Sequence, residues 1–220
     1  TVSVISTVTD AVMATITVGS HPHSCAVSPD GSEVWVTEGG VDTVSVIATA
    51  TNTVSATTSV GTTPRRVVVS PAGTYVYVTN IAAGTVSVVK AKDAALVATI
   101  TVGGQPWGIE ISSDGLTLYV ATGNGNTIKK IATATNTVTS TLGLTGATAL
   151  ALTPDNAKLY VTTEDPTAYV VDTATFSLET GPIEVGLTPD SLAITPDGTT
   201  VYVGNGKSDS MSVISTTTNV

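Results

Sequence analysis

The residues of this chain that could do chemistry are few: two histidines, two adjacent arginines, a lone cysteine, a tryptophan and a carboxylate at an otherwise apolar position. His21 and His23 are two apart, so on an extended strand they share a face and could both ligate a metal ion. Such a site needs a third ligand, for which Glu38 is the candidate; the plainer reading is a pair of solvent-facing histidines. Cys25 lies two residues beyond His23, but the pair lacks a recognisable orienting partner for nucleophilic catalysis. Arg65 and Arg66 are the only arginines. Neighbouring strand residues point to opposite faces, so only one of them can address a given site directly. They could hold an anionic group, and a local ion pair with Glu110 or Asp190 explains them as well. Trp107 could stack on a sugar or another apolar ligand face. Nothing matches a phosphate-binding loop, a zinc-protease helix or a nucleophile elbow.

The elements that position these residues follow from composition. Hydrophobic residues make up 41% of the 220 and charged residues 11%, which is no disordered chain and leaves room for one large domain or two small ones. Thr and Val dominate, and β-branched side chains favour strands over helices. No apolar run approaches the roughly 20 residues of a membrane-spanning helix. A net charge of −9 argues against a nucleic-acid partner. The single cysteine excludes an internal disulfide framework and a multi-cysteine metal site.

The chain repeats itself with a period of about 42 residues. TVSV occurs at Thr1, Thr43 and Thr85, weakens to TIKK at Thr127 and TAYV at Thr167, and returns in SMSVISTTTNV from Ser210. A turn recurs as SPDG, SPAG, SSDG, TPDN and TPDG, beginning at Ser28, Ser70, Ser112, Thr153 and Thr195. The strand after it reads VWVTE, VYVTN, LYVAT, LYVTT and VYVGN. Each unit holds four short β-rich runs separated by turn residues, in the reference copy Val44 to Ile47, Thr53 to Val60, Arg65 to Ser70 and Thr74 to Thr79. Four antiparallel strands per unit of this length predict an all-β fold, a β-propeller. A β-solenoid has shorter coils and parallel strands, and helical repeats need a 3.6-residue apolar stripe that is absent.

VYVTN at Val76 to Asn80, with TVSV-type strands before it and SPDG-like turns between, resembles the YVTN family of β-propeller repeats over essentially the whole chain. The fourth unit, Thr127 to Pro166, is the most divergent. The resemblance implies a surface-layer or secreted protein, placed outside the cell or at the cell surface. It also implies that the strand after the proline is innermost (A), YVTN is B, TVSV is C and the run before the glycine is the outermost, D. One propeller domain, residues 1–220, then has blades starting near 22, 64, 106, 147 and 189. The expected ring has five blades of four antiparallel strands. Residues 1–18 complete the C-terminal blade by supplying its missing D strand, which hides two sheet edges. One C strand is then surplus, because residues 1–11 and 210–220 are equivalent. The surplus leaves open a segment of a larger propeller, or an open arc pairing edge to edge with another copy. A monomer is expected, with the edge-paired dimer as its alternative. Thr1 carries neither an initiator methionine nor a signal peptide, which fits a trimmed or processed chain.

Alignment of the units with one another separates frame from variation. Trp35, Tyr77, Tyr119, Tyr160 and Tyr202 share one strand position and are expected to pack between blades. Cys25 aligns with Val67, Ile109, Leu150 and Leu192, which predicts a small buried hydrophobe. Glu110 fills a slot that holds Ala26, Val68, Ala151 and Ala193 elsewhere, so it is either paired or raised in pKa. Residues flanking the inner-strand proline vary: His21 and His23, Thr63 and Arg65, Gln105 and Trp107, Gly146 and Thr148, Thr188 and Asp190. Loops on a rigid scaffold carry function, and propeller geometry gathers these at one channel mouth. His21, His23, Arg65, Trp107, Glu110 and Asp190 are therefore the expected ligand-binding residues. The reading is a non-enzymatic binding or scaffold propeller with a protein or glycan partner at the cell surface. No catalytic residue, metal or cofactor is assigned, and neither nucleic acid nor membrane insertion is expected. The alternatives are a metal-assisted, lactonase-like hydrolase or lyase using the same mouth, and a purely architectural repeat domain.

Overall fold

Alternating β-branched residues interrupted by turn signals yield 21 short strands and one 3₁₀ turn, Ala91–Asp93. The computed structural model describes residues 1–220, in two units, Thr1–Thr101 and Val102–Val220. No helix is long and apolar enough to cross a membrane.

The first unit holds three antiparallel sheets. A hairpin pairs β1 (Val2–Ile5) with β2 (Val12–Ile16). Two four-stranded meanders follow, β3 (Pro22–Val27), β4 (Glu33–Glu38), β5 (Thr43–Ala48) and β6 (Thr53–Ser59), then β7 (Pro64–Val69), β8 (Tyr75–Asn80), β9 (Thr85–Lys90) and β10 (Ala95–Thr101). The second unit has two such meanders and a shorter one. They are β11 (Pro106–Ile111), β12 (Thr117–Thr122), β13 (Thr127–Ala132) and β14 (Thr137–Gly143); β15 (Ala147–Leu152), β16 (Lys158–Thr163), β17 (Thr167–Asp172) and β18 (Ser177–Glu184); and β19 (Pro189–Ile194), β20 (Thr200–Asn205) and β21 (Ser210–Ser215). The leading strands of successive sheets lie side by side, β3 by β7 in one unit and β11 by β15 by β19 in the other.

Sheets pack face to face through the aromatic of the second strand and the Val-x-Val or Leu-x-Val of the next sheet. Trp35 meets Val76 and Val78, Tyr119 meets Leu159 and Val161, and Tyr160 meets Val201 and Val203. These aromatics are 0–3% exposed, but Tyr202 is 39% exposed. The expectation that it packs between blades fails because no sheet follows β21 within residues 1–220 to cover it.

Cys25 is likewise exposed rather than buried. It shares a face with Val36, its cross-strand partner. The β1–β2 hairpin covers only the outer part of that face, where Val2, Val4 and Ile16 pack on Val36 and Ile47. The innermost strand is left bare. A second correction concerns residues 11–18, expected to supply the last blade's D strand. Here β2 pairs with β1, in register Val2↔Ile16 and Val4↔Ala14, and the last sheet has three strands. A local hairpin closes a short loop, whose entropic cost is lower than that of joining strands far apart in sequence.

Each turn between the first two strands uses one device. The hydroxyl of Ser28, Ser70, Ser112, Thr153 or Thr195 accepts the N–H five residues on, at 2.9–3.1 Å. In four turns it also donates to the aspartate two residues on, at 2.5–2.6 Å. Chiefly through that bond, Asp30 is held down to about 2, and Asp114, Asp155 and Asp197 also lie below the usual carboxylate range.

At the opposite end of the sheets, the last residue of the second strand reaches across to the glycine before the inner strand of its own sheet. The Asn80 amide donates to Thr85 and Ser87, at 3.0 and 2.9 Å. Its carbon stands 2.7 Å from where a Cβ on residue 61 would lie, which is why that position is glycine. Gly186 and Asn205 repeat the arrangement, at 2.6 Å. Gly61→Ala and Gly186→Ala are each expected to cost about 1–3 kcal/mol by overpacking. Gly143→Ala, with nothing within 4 Å of its Cβ position, should stay within about 0.5 kcal/mol. Urea unfolding of the three variants checks this.

Candidate functional site

The loop before each inner strand is tied to the loop after the next strand by one backbone hydrogen bond. The carbonyls of His21, Thr63, Gln105, Gly146 and Thr188 accept from the N–H of Gly39, Ile81, Gly123, Glu164 and Gly206, at 2.8–3.0 Å. His21, Thr63 and Thr188 adopt positive φ, from 53° to 56°. β-Branched and bulky residues seldom sit there, so the loop pair holds these side chains in a fixed direction.

In the first unit this frame brings together three of the expected residues. His21 and His23 are exposed, and Arg65 is half-buried. Arg65 is positioned from the neighbouring sheet: the Thr37 hydroxyl donates to its carbonyl at 2.9 Å and accepts the Ser24 N–H at 3.1 Å. Both imidazoles lie on glycine backbone. His23 Cδ2 is 2.7 Å from where a Cβ on residue 39 would stand, and His21 Nδ1 crowds the same position at residue 40. Sequence reasoning missed Gly39 and Gly40. Their signal was a Gly-Gly pair opposite the only two histidines.

Burial, then the charges of Arg65 and His21, hold His23 below its ordinary pKa. At neutral pH the group therefore offers a neutral imidazole beside a guanidinium. Glu38, the candidate third metal ligand, is not available to it. The side chain is buried, with Oε1 accepting the Gly19 N–H at 2.9 Å and Oε2 accepting the Thr43 hydroxyl at 2.5 Å. It performs here the strand-end role that Asn80 and Asn205 perform elsewhere. No group of three or more His, Cys, Asp or Glu residues is arranged to hold a metal ion.

In the second unit the expected residues stand on two sheets, with β15–β18 between them. The half-buried Trp107 lies on the Gly123 backbone, with Cδ1 2.9 Å from where a Cβ would be. Asp190 is exposed beside Gly206, with Oδ2 3.4 Å from the corresponding point. Glu110 is on β11, and its Oε1 accepts the Ile111 N–H at 3.3 Å. Burial pushes its carboxyl up to about 7, against the smaller opposing effect of that N–H. The arrangement gives a cationic, donor-rich loop cluster in one unit and an aromatic edge and separate acids in the other.

Residues 4–219 match the profile of the family described as lactonase, 7-bladed beta-propeller. The chain belongs to that family. Within it, residues 1–220 form four complete four-stranded sheets, one of three strands and one of two. Among solved structures, the chain is similar to Kuenenia stuttgartiensis hydrazine synthase, with 26% identity and a TM-score of 0.80 over 86% of this chain and 56% of that one. It is also similar to a functionally unknown protein from Desulfotomaculum acetoxidans, with 20% identity and a TM-score of 0.83 over 97% of this chain and 71% of that one. The chain thus spans little more than half of the hydrazine synthase chain it matches. No curated protein matches the sequence.

Two titrations test the electrostatics. Glu110 has a raised folded-state pKa, so its stability contribution is present below about 4.5 and lost as pH rises through about 7. The stability difference between wild type and Glu110→Gln should fall by on the order of 3 kcal/mol across that window, read from urea midpoints at a series of pH values. In an NMR titration, Arg65→Ala should raise the His23 pKa towards 6.5 without reaching it, because burial is the larger cause.

Proposed function

We propose that this chain is a non-enzymatic binding propeller of the YVTN type, working outside the cell or at the cell surface. It presents the His21–His23–Arg65 cluster to an acidic group on a protein or glycan. One observation carries the reading: these three side chains are grouped while Glu38, the carboxylate closest in sequence to the cluster's glycine loop, is turned inward onto Gly19 and Thr43. The cluster thus offers donors and positive charge in a chain of net charge −9, while the two acids of its loop point elsewhere, Glu38 onto Gly19 and Thr43 and Asp42 onto the Thr63 N–H. Trp107 and Asp190 are presented on the equivalent loops of the second unit, where an aromatic edge suits a sugar face.

A second reading, hydrolysis of a lactone ring, is supported by the family match. Here the neutral His23 imidazole would take the proton from a water attacking the ring carbonyl, and would return it to the ring oxygen as the tetrahedral adduct collapses and the acyl C–O bond breaks. The Arg65 guanidinium would face the developing oxyanion. Metal assistance has no ready ligand set to support it.

Calorimetry against uronate-containing and neutral oligosaccharides, beside a turnover assay on a lactone panel, separates the readings. The binding reading expects affinity for the acidic sugars alone, weakened about tenfold or more by Arg65→Ala, with unchanged circular dichroism and no turnover. Affinity indifferent to both Arg65→Ala and Trp107→Ala would sink the site. Turnover lost in His23→Ala would establish the hydrolase instead.

A further inference from the structure

In four of the five repeats, the turn after the third strand is clamped to the turn between the first two. Thr49, Thr133, Thr173 and Thr216 donate their hydroxyls to the carbonyls of Gly31, Gly115, Asn156 and Gly198, at 2.5–2.8 Å. The second repeat departs from this. Ala91 stands at the threonine position and has no hydroxyl to give to the Gly73 carbonyl. It opens the 3₁₀ turn Ala91–Asp93, which contains Lys92 and follows Lys90. The other repeats carry Ala, Asp or Ser where Lys90 stands, and Ala or Thr where Lys92 stands. Tyr75 is the only aromatic at its position, which Glu33, Thr117, Lys158 and Thr200 fill elsewhere.

All of these departures line one cavity. It lies within the first unit, between the β3–β4 turn, the β7–β8 turn and the end of β9, and holds about 560 Å³. The corresponding groove between the last two sheets of the second unit holds about 260 Å³, and there Lys158 is engaged by Glu179 at 3.0 Å. In the larger cavity Pro29, Pro71 and the exposed Tyr75 supply apolar surface. One sheet contributes Asp30 and the half-buried Glu33, and the next contributes the exposed Lys90 and Lys92. No ion pair engages either lysine or Glu33. Asp30 stays ionised, because hydrogen bonds from Ser28 and Ser32 hold its pKa down to about 2. Two positive and two negative groups therefore surround one aromatic ring.

We propose that this cavity binds a short zwitterionic peptide carrying an apolar side chain. Lys90 and Lys92 take its terminal carboxylate, Glu33 and Asp30 face its terminal ammonium, and its side chain lies against Tyr75 and the two prolines. The Gly73 carbonyl, without its threonine, accepts a peptide N–H. Charge complementarity selects this class of ligand. A simple anion leaves the two acids uncompensated as the cavity loses water, a simple cation leaves the two lysines so, and a zwitterion satisfies both. The volume falls within the roughly 300–1,000 Å³ of small-ligand sites. The cavity lies at the end of the sheets opposite His21, His23 and Arg65, so the inference does not depend on the reading of that cluster.

Calorimetry with the dipeptide Leu-Phe, its N-acetyl form and its C-terminal amide tests the site. The free dipeptide should bind with a Kd of about 1 mM or tighter, and each cap should weaken it about tenfold by removing one charge-assisted contact. A chain carrying Lys90→Gln together with Lys92→Gln should bind the free dipeptide and its amide alike. Glu33→Gln should instead narrow the gap between the free dipeptide and its N-acetyl form. Ala91→Thr should restore the clamp on Gly73 and weaken the dipeptide, with circular dichroism unchanged in every variant. No binding of Leu-Phe at about 10 mM, equal affinity for the three forms, or discrimination that survives the charge substitutions would each overturn the proposal. So would sodium acetate or inorganic phosphate binding as tightly as the dipeptide, which is the mark of a plain anion site.

Discussion

A single backbone hydrogen bond, made five times, fixes where this molecule can hold anything. The carbonyl before each inner strand accepts the N–H just beyond the following strand, at 2.8–3.0 Å in every repeat. Because both partners are main chain, the bond is indifferent to side-chain identity. His21, Thr63, Gln105, Gly146 and Thr188 are tolerated at one geometric position. Rigidity thus comes from the backbone, and the side chains beside it are free to differ. That separation lets a repeat built by duplication acquire one set of loops unlike the others without loss of the frame.

Much of this was legible in the sequence, and for definite reasons. Strand existence and order follow from Val/Thr alternation and the recurring SPDG-like turns, whose hydroxyl–aspartate bonds appear at four of the five sites. Nearest-neighbour packing was also readable, since three aromatics bury themselves on the next sheet's apolar residues. What failed did so at the two ends of the repeat array. Cys25 and Tyr202 occupy slots that are buried in other units, but a slot is buried only if the neighbouring sheet exists. Internal alignment reports the frame and says nothing about which frames lack a neighbour. The pairing of β2 with β1 was missed on similar grounds, because an alignment equates β1 with β21 and cannot choose between them.

The candidate site was half legible. His21, His23 and Arg65 were visible as variation within a fixed frame, and the structure groups them. The role of Glu38 was not visible, because a carboxylate at a loop end reads as a ligand. The repeats place Glu38 where Asn80 and Asn205 stand in two others, and only its hydrogen bonds, to Gly19 and Thr43, show that it takes their strand-end role. Both of its oxygens are engaged inside the fold, so it offers no ligand atom to the histidines and arginine beside it.

The turn aspartates have a consequence for the environment this fold tolerates. Their pKa values are depressed, so the stability they contribute is complete above about 3.8 and fades only as pH drops through the folded-state values, about 2 for Asp30. Glu110 acts in the other direction and is least costly to the fold when protonated. Near pH 4 to 4.5 the aspartates are ionised and Glu110 is neutral, so neither burden falls on the folded chain. These groups bias the protein towards mildly acidic surroundings, conditions in which many folds begin to lose their carboxylate interactions.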